Sequence, residues 1–162
     1  MRIIGIDPGS RITGYGIIDS RGPEIGFVAC GTIRMVKEAD FSRRLFMIFD
    51  GLSRIMDKHR PEAAAVEDLF VAHNPRSALK LGQARGAAVV AACRQQIPVF
   101  DYTPRKVKQT VAGYGQAEKS QVQEMVKVLL ELSALPSSDA ADALAVALCH
   151  AHQLGSAASF IN

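Results

Sequence analysis

The chain has few cysteines, no long apolar run, no low-complexity linker and no internal repeat, and each shortage removes a class of protein. Cys30, Cys93 and Cys149 form no CxxC pair, and their odd number argues against a disulfide framework. A reducing cytoplasm is therefore the expected setting. The longest purely apolar run near the middle, Ala87 to Cys93, is far too short to span a bilayer, so no membrane association is expected. The first residues include one Arg but no extended apolar core or cleavage site, and Asp7 interrupts them, so no export signal is expected. His73, His150 and His152 lack ligand spacing and read as structural or surface groups.

What remains is a chain of 162 residues with 22% charged and 48% apolar residues, the make-up of an ordinary globular domain large enough to need no staple. One domain over residues 1–154 is expected, with a small, polar tail over 155–162 that should be flexible. The net charge of +3 is unevenly placed. Between Leu69 and Lys119 stand eight Lys or Arg against Asp101 and Glu118, while the rest of the chain is net acidic. That asymmetry suggests either an anionic partner or simply a solvated face.

The organising stretch is Ile3-Ile4-Gly5-Ile6-Asp7-Pro8-Gly9-Ser10, a β-branched run that ends in a carboxylate and a Pro-Gly turn. Asp7 either opens the turn, accepting from the Gly9 and Ser10 amides, or needs a cation, because a buried lone carboxylate costs several kcal/mol. Strands over Gly14 to Asp19 and Ile25 to Arg34 follow through short connections, which makes the first three strands an antiparallel meander. Leu45, Ile48, Phe49, Leu52, Ile55 and Met56 recur at helical spacing up to Pro61. Glu62 to Asp68 is a strand ending in acid, with Glu67 and Asp68 pointing to opposite faces.

Asn74 or Ser77 caps a long helix to about Gln96 whose Gly82, Gly86 and alanines suit close packing, on its own sheet or on another subunit. Ile97 to Tyr102 reads as a fifth strand, and Thr103-Pro104 opens a short basic helix ended by Gly113. Helices over about Glu118 to Leu132 and Asp139 to Leu148 complete a mixed five-stranded sheet with helices on its faces.

Asp139 and Asp142 share one helix face. Asp139 suits a first turn, but Asp142 lies among Ala and Leu in a helix apolar all round. Alanines would let that helix lie close to the sheet, with its acids near Asp7 and Glu67. Four carboxylates in one place require cations, and oxygen ligands without His or Cys select magnesium or manganese. Two ions about 4 Å apart would serve phosphodiester hydrolysis.

Gly5-Ile6-Asp7-Pro8-Gly9 with Gly14-Tyr15-Gly16, Glu67-Asp68-Leu69-Phe70, Asn74, Ser77 through Gly86, Val107-Lys108, Ala117 through Val122 and Asp139 through Ala145 together resemble the RuvC-type Holliday junction endonucleases of the ribonuclease H-like fold, in family order. The resemblance implies a magnesium-dependent homodimer that resolves four-way DNA junctions by paired nicks, alongside the RuvA and RuvB branch-migration proteins. It implies metal ligands at Asp7, Glu67, Asp139 and Asp142, with manganese expected to substitute, and lysines at Lys108 and Lys119 that assist cleavage at the scissile phosphate. Phe70 would be the aromatic that enters opened base pairs. Arg76, Lys80, Arg85, Arg105 and Lys106 read as generic phosphate contacts. The rival is an ATP-binding protein of the actin and sugar kinase type, which shares an Asp-x-Gly turn. It is disfavoured because the chain holds one copy of the fold and no second hairpin of that type.

Overall fold

The computed structural model describes residues 1–68 and 74–159, with backbone alone for 156–159. Five strands form one mixed sheet in the order β3-β2-β1-β4-β5. β1 (Arg2–Asp7), β2 (Ile12–Arg21) and β3 (Glu24–Arg34) are the antiparallel meander, while β4 (Ala63–Glu67) and β5 (Val99–Tyr102) run parallel to β1. Both faces are covered, so the strands nearest the centre read as continuous apolar runs rather than alternating ones. Ile3, Ala63 and Ala65 join the core on one face, and Ile4, Ile6, Ala64 and Val66 join the core on the other.

On the second face lie α1 (Phe41–His59) and α2 (Pro75–Arg94), which bury Leu52, Met56, Ala84 and Ala88. Their ends follow local chemistry. Asp40 caps α1 by accepting from the Ser42 amide at 2.9 Å, and Arg60, in the left-handed region at φ 50°, closes it just before Pro61. Asn74 caps α2, accepting from the Arg76 and Ser77 amides, with Pro75 at the first helical position.

The first face carries α3 (Pro104–Ala112), α4 (Lys119–Leu129) and α5 (Ser138–Ser159). Thr103 caps α3 and Gly113 ends it at φ 87°, a conformation that glycine adopts freely. Glu118 and Gln121 form a reciprocal capping box at the start of α4, with the Gln121 side-chain oxygen accepting from the Glu118 amide at 2.9 Å. α5 is longer than the expected Asp139 to Leu148 and runs on to Ser159. No proline or left-handed cap interrupts Cys149 to Leu154, and Cys149, His150 and Ala151 are buried, so packing prolongs the helix. Among the described residues, no helix is long and apolar enough to cross a membrane.

Candidate active site at the strand ends

Asp7 ends β1 and Glu67 ends its parallel neighbour β4, and the pairing of Ile6 with Val66 brings the two carboxylates side by side. Asp7 does not hold its own turn. The Gly9 amide donates instead to the Thr13 hydroxyl at 3.3 Å, and that hydroxyl donates back to the Gly9 carbonyl at 3.1 Å. With the turn satisfied by Thr13, the Asp7 side chain is left for the site.

α5 reaches these strand ends because the sheet beneath it is stripped of side chains. Gly5 on β1 pairs with Gly16 on β2, and Gly14 pairs with Asp7. A Cβ on Gly5 would stand 2.0 Å from the Ala143 carbonyl oxygen, and one on Gly16 would stand 2.6 Å from the Leu144 side chain. The alanines of α5 are the complementary surface: Ala140, Ala143 and Ala147 are all buried. Glycine against alanine thus lowers the helix onto the sheet and carries Asp142 to the edge of the Asp7–Glu67 pair.

The resulting cavity, about 250 Å³, is lined by Asp7, Glu67, Asp142, Lys108 and Lys119, with Pro104, Val107, Val122 and Ala145 as its less polar walls. Lys119, the first residue of α4, places its Nζ 2.8 Å from Asp142 Oδ2 and 3.4 Å from the Ser138 hydroxyl. Asp139 lies in the first turn of α5, outside the cavity lining, and its charge acts on Asp7 and Lys119. Lys108 enters from the middle of α3.

The acids are electrostatically strained. Burial, followed by repulsion from Asp142, pushes Asp7 up to about 6. Burial, then the charges of Asp7 and Asp142, pushes Glu67 up to about 8. The two share a hydrogen bond, which favours the proton on Glu67. Lys119 is raised above its ordinary value, chiefly by its hydrogen bond to Asp142. Near neutral pH the pair therefore holds one proton, with the ammonium of Lys119 as the nearest positive charge.

Among the described residues, no three His, Cys, Asp or Glu side chains stand close enough to form a finished metal site. The donor set nevertheless suits a hard divalent cation. Every candidate donor is a carboxylate oxygen, and the upward shifts of Asp7 and Glu67, owed first to burial and then to neighbouring acids, are ones that a bound cation would oppose. Lys119 and such a cation would compete for Asp142.

Other residues singled out from the sequence are more dispersed. Phe70 and His73 lie outside the described residues. Arg76 is exposed in the first turn of α2, and Arg105 is exposed on α3 beside Gly115. The Lys80 ammonium lies over the Phe41 ring, 5.6 Å from its centroid, a cation–π contact on an exposed side chain. Arg85 pairs with Asp101 and stands 3.9 Å from Asp68, a structural role rather than a free phosphate contact. The glycine face went unread in the sequence although its signal was present, since glycines inside strands mark close backbone approach. Ser138 beside Lys119 carried no such signal.

Residues 3–150 match the protein family described as Crossover junction endodeoxyribonuclease RuvC. A relative in Geobacter sulfurreducens, Crossover junction endodeoxyribonuclease RuvC, is 56% identical over 152 residues, covering 94% of this chain and 93% of its own. Among solved structures, Thermus thermophilus RuvC in complex with a Holliday junction substrate superposes with a TM-score of 0.90 at 35% identity, covering 97% of this chain and 96% of that one. The yeast mitochondrial Holliday junction resolvase Ydc2 superposes at 0.66 with 12% identity, covering 98% of this chain and 83% of its own, which is a likeness of fold.

Proposed function

The chain belongs to the RuvC family of crossover junction endodeoxyribonucleases, and from that membership we propose that it resolves four-way DNA junctions by hydrolysing phosphodiester bonds at the cavity formed by Asp7, Glu67, Asp142, Lys108 and Lys119. The observation that carries the assignment of the site is the convergence of three carboxylates and two lysines at the ends of β1 and β4. With Asp139 as a fourth acid, the carboxylates hold divalent cations, magnesium or manganese and two per site. Bound there, such ions would supply an activated water and charge stabilisation at the leaving oxygen.

The chain's own residues do the rest. Asp7, on β1, Glu67, on β4, and Asp142, on α5, would hold the cation, and Glu67 would have to release the proton it holds near neutral pH to do so. Lys119, at the N-terminus of α4, and Lys108, on α3, present positive charge to the phosphate, with Lys119 first released from Asp142. Arg76, Lys80 and Arg105 guide the duplex arms as backbone contacts, and Phe70 enters opened base pairs.

Two cuts call for two sites, and one face of α2 fits a two-fold contact. Leu79, Gln83, Gly86, Val90 and Cys93 recur at alternating spacings of four and three. Leu79 is 70% and Val90 57% exposed, and a Cβ on Gly86 would meet nothing within 4 Å. Ala87 instead packs against the core, so the outward small residue is Gly86. The homodimer formed through this stripe acts in the cytoplasm with RuvA and RuvB branch-migration proteins.

Incubating the protein with a synthetic four-way junction and with a linear duplex, each with magnesium and with a chelator, tests the proposal. Paired nicks in the junction alone, dependent on the metal, are expected. Equal cutting of the duplex, or cutting in the chelator, overturns it.

A further inference from the structure

The two edges of the sheet are managed differently. β5 is four residues long and carries Asp101. β3 is eleven residues long, pairs with β2 alone in the sheet order, and from Ile25 through Ile33 contains no charged residue and no proline. Long edge strands are ordinarily blunted by charge, proline, bulges or cover, because their free amides and carbonyls recruit another strand, and over this stretch β3 carries one bulge, at Val28, and neither of the first two.

A groove of about 800 Å³ runs beside this edge, between β3 and the segment that joins α4 to α5. Its apolar lining includes Ile25, Phe27, Leu129 and Leu132, and Phe27 and Leu129 are 42% and 38% exposed. The register of β3 against β2 shifts at Val28, so Ile25, Phe27 and Cys30 all line the groove although strict alternation would turn Cys30 away. The charged residues of the lining are both acidic, the exposed Glu24 and Glu131.

We infer that the outer edge of β3 and its groove form a docking site for an extended segment of a partner protein, apolar and basic in sequence, that adds to the sheet as a sixth strand. Main-chain pairing along Ile25 to Cys30 supplies the affinity, the groove takes alternate apolar side chains, and Glu24 and Glu131 select lysine or arginine at its ends. The site leaves the proposed catalytic cavity free. Gly26 registers with Asp19, which registers with Arg2, whereas Thr32 registers with Gly14, which registers with Asp7. Most of the segment therefore runs away from the cavity; its nearer end, Cys30, registers with Gly16 and through it with Gly5, two residues short of Asp7, with two strand spacings, together roughly 10 Å, between β3 and β1. α2 lies on the opposite face, so a dimer stripe there is also clear of the groove.

The test is titration of the full chain with a labelled nonapeptide of alternating valine and lysine. Controls are the same peptide with glutamate for lysine and the same peptide with alternate backbone amides methylated. Saturable binding of the lysine peptide, with slowed amide exchange at residues 25–30 and no binding of the methylated form, supports the proposal. Combining Glu24→Lys with Glu131→Lys should weaken that peptide about tenfold and admit the glutamate peptide, while junction cleavage is unchanged. Absence of saturable binding, equal binding of the methylated peptide, or indifference to the charge reversal overturns it. So does concentration-dependent protection of the same amides in the protein alone, which would make a second copy the occupant.

Discussion

The α-carbon of Gly14 lies directly beneath the main chain of Asp139: a Cβ there would stand 2.0 Å from the Asp139 carbonyl oxygen and 2.6 Å from its carbonyl carbon. Gly14 is also the register partner of Asp7, so one contact ties β1, β2 and the start of α5 together. Gly14→Ala must lift α5 or bend the sheet, because the obstacle is backbone rather than a flexible side-chain end. Destabilisation of about 2 kcal/mol or more is expected, with loss of nicking beyond what the unfolded fraction explains. Thermal denaturation and junction cleavage, measured below the transition, check it. A fully active, equally stable variant would mean that α5 is not seated as described.

Asp142→Asn should abolish nicking while leaving junction binding intact or improved, since the phosphate-facing lysines remain. It should also let Asp7 and Glu67 titrate lower and return Lys119 toward its ordinary value, because Asp142 is a named cause of all three shifts. Carboxyl and ammonium titrations followed by NMR separate this from a simple loss of fold.

Without metal, stability should fall as pH rises. Asp7 and Glu67 have folded-state values of about 6 and about 8, above the ordinary values of 3.8 and 4.5. The stabilisation linked to those protons is fully present below pH 4 and is lost as pH passes through 6 and then 8. The fall is on the order of a few kcal/mol. Glu67→Gln should flatten the profile, and magnesium at pH 8 should restore stability. A melting temperature independent of pH between 5 and 8, in the chelated wild type, would contradict the electrostatic account.

Lys119→Ala and Lys108→Ala should each lower cleavage far more than junction affinity, as one phosphate contact among many contributes little to binding. They should differ in stability. Lys119 is ion-paired at 2.8 Å with Asp142, so its removal leaves that carboxylate uncompensated in the metal-free protein. Parallel measurement of single-turnover rates, affinities and melting temperatures distinguishes catalytic from anchoring roles.

Val90→Glu tests the α2 stripe. Val90 is exposed in the single chain, so a glutamate there leaves the fold intact but sets two like charges close together across a two-fold contact. Sedimentation should show a shift to folded monomer and the cleavage assay a loss of paired cuts. An unchanged dimer would place the interface elsewhere.

Much of this protein is local chemistry and was legible residue by residue. The run from Ile3 to Asp7, the caps at Asn74 and Thr103 and the break at Gly113 follow from side-chain shape and hydrogen-bonding capacity within a few residues. The meander followed from connection length, and the candidate acids from their places at strand ends and on one helix face. Tertiary structure decided how these pieces meet. Thr13 rather than Asp7 satisfies the first turn, which a hydroxyl four residues away could reveal only once the hairpin closed. Lys119 pairs with Asp142 across a separation of 23 residues, and Arg85 is consumed by Asp101, because charged side chains choose among all partners that folding brings near. The continuation of α5 past Leu148 depended on the burial of Cys149, His150 and Ala151 rather than on propensity. Above all, Gly5, Gly14 and Gly16 acquire meaning from Ala143, Asp139 and Leu144 on a helix more than 120 residues later, since close approach is a property of two surfaces and neither can specify it alone.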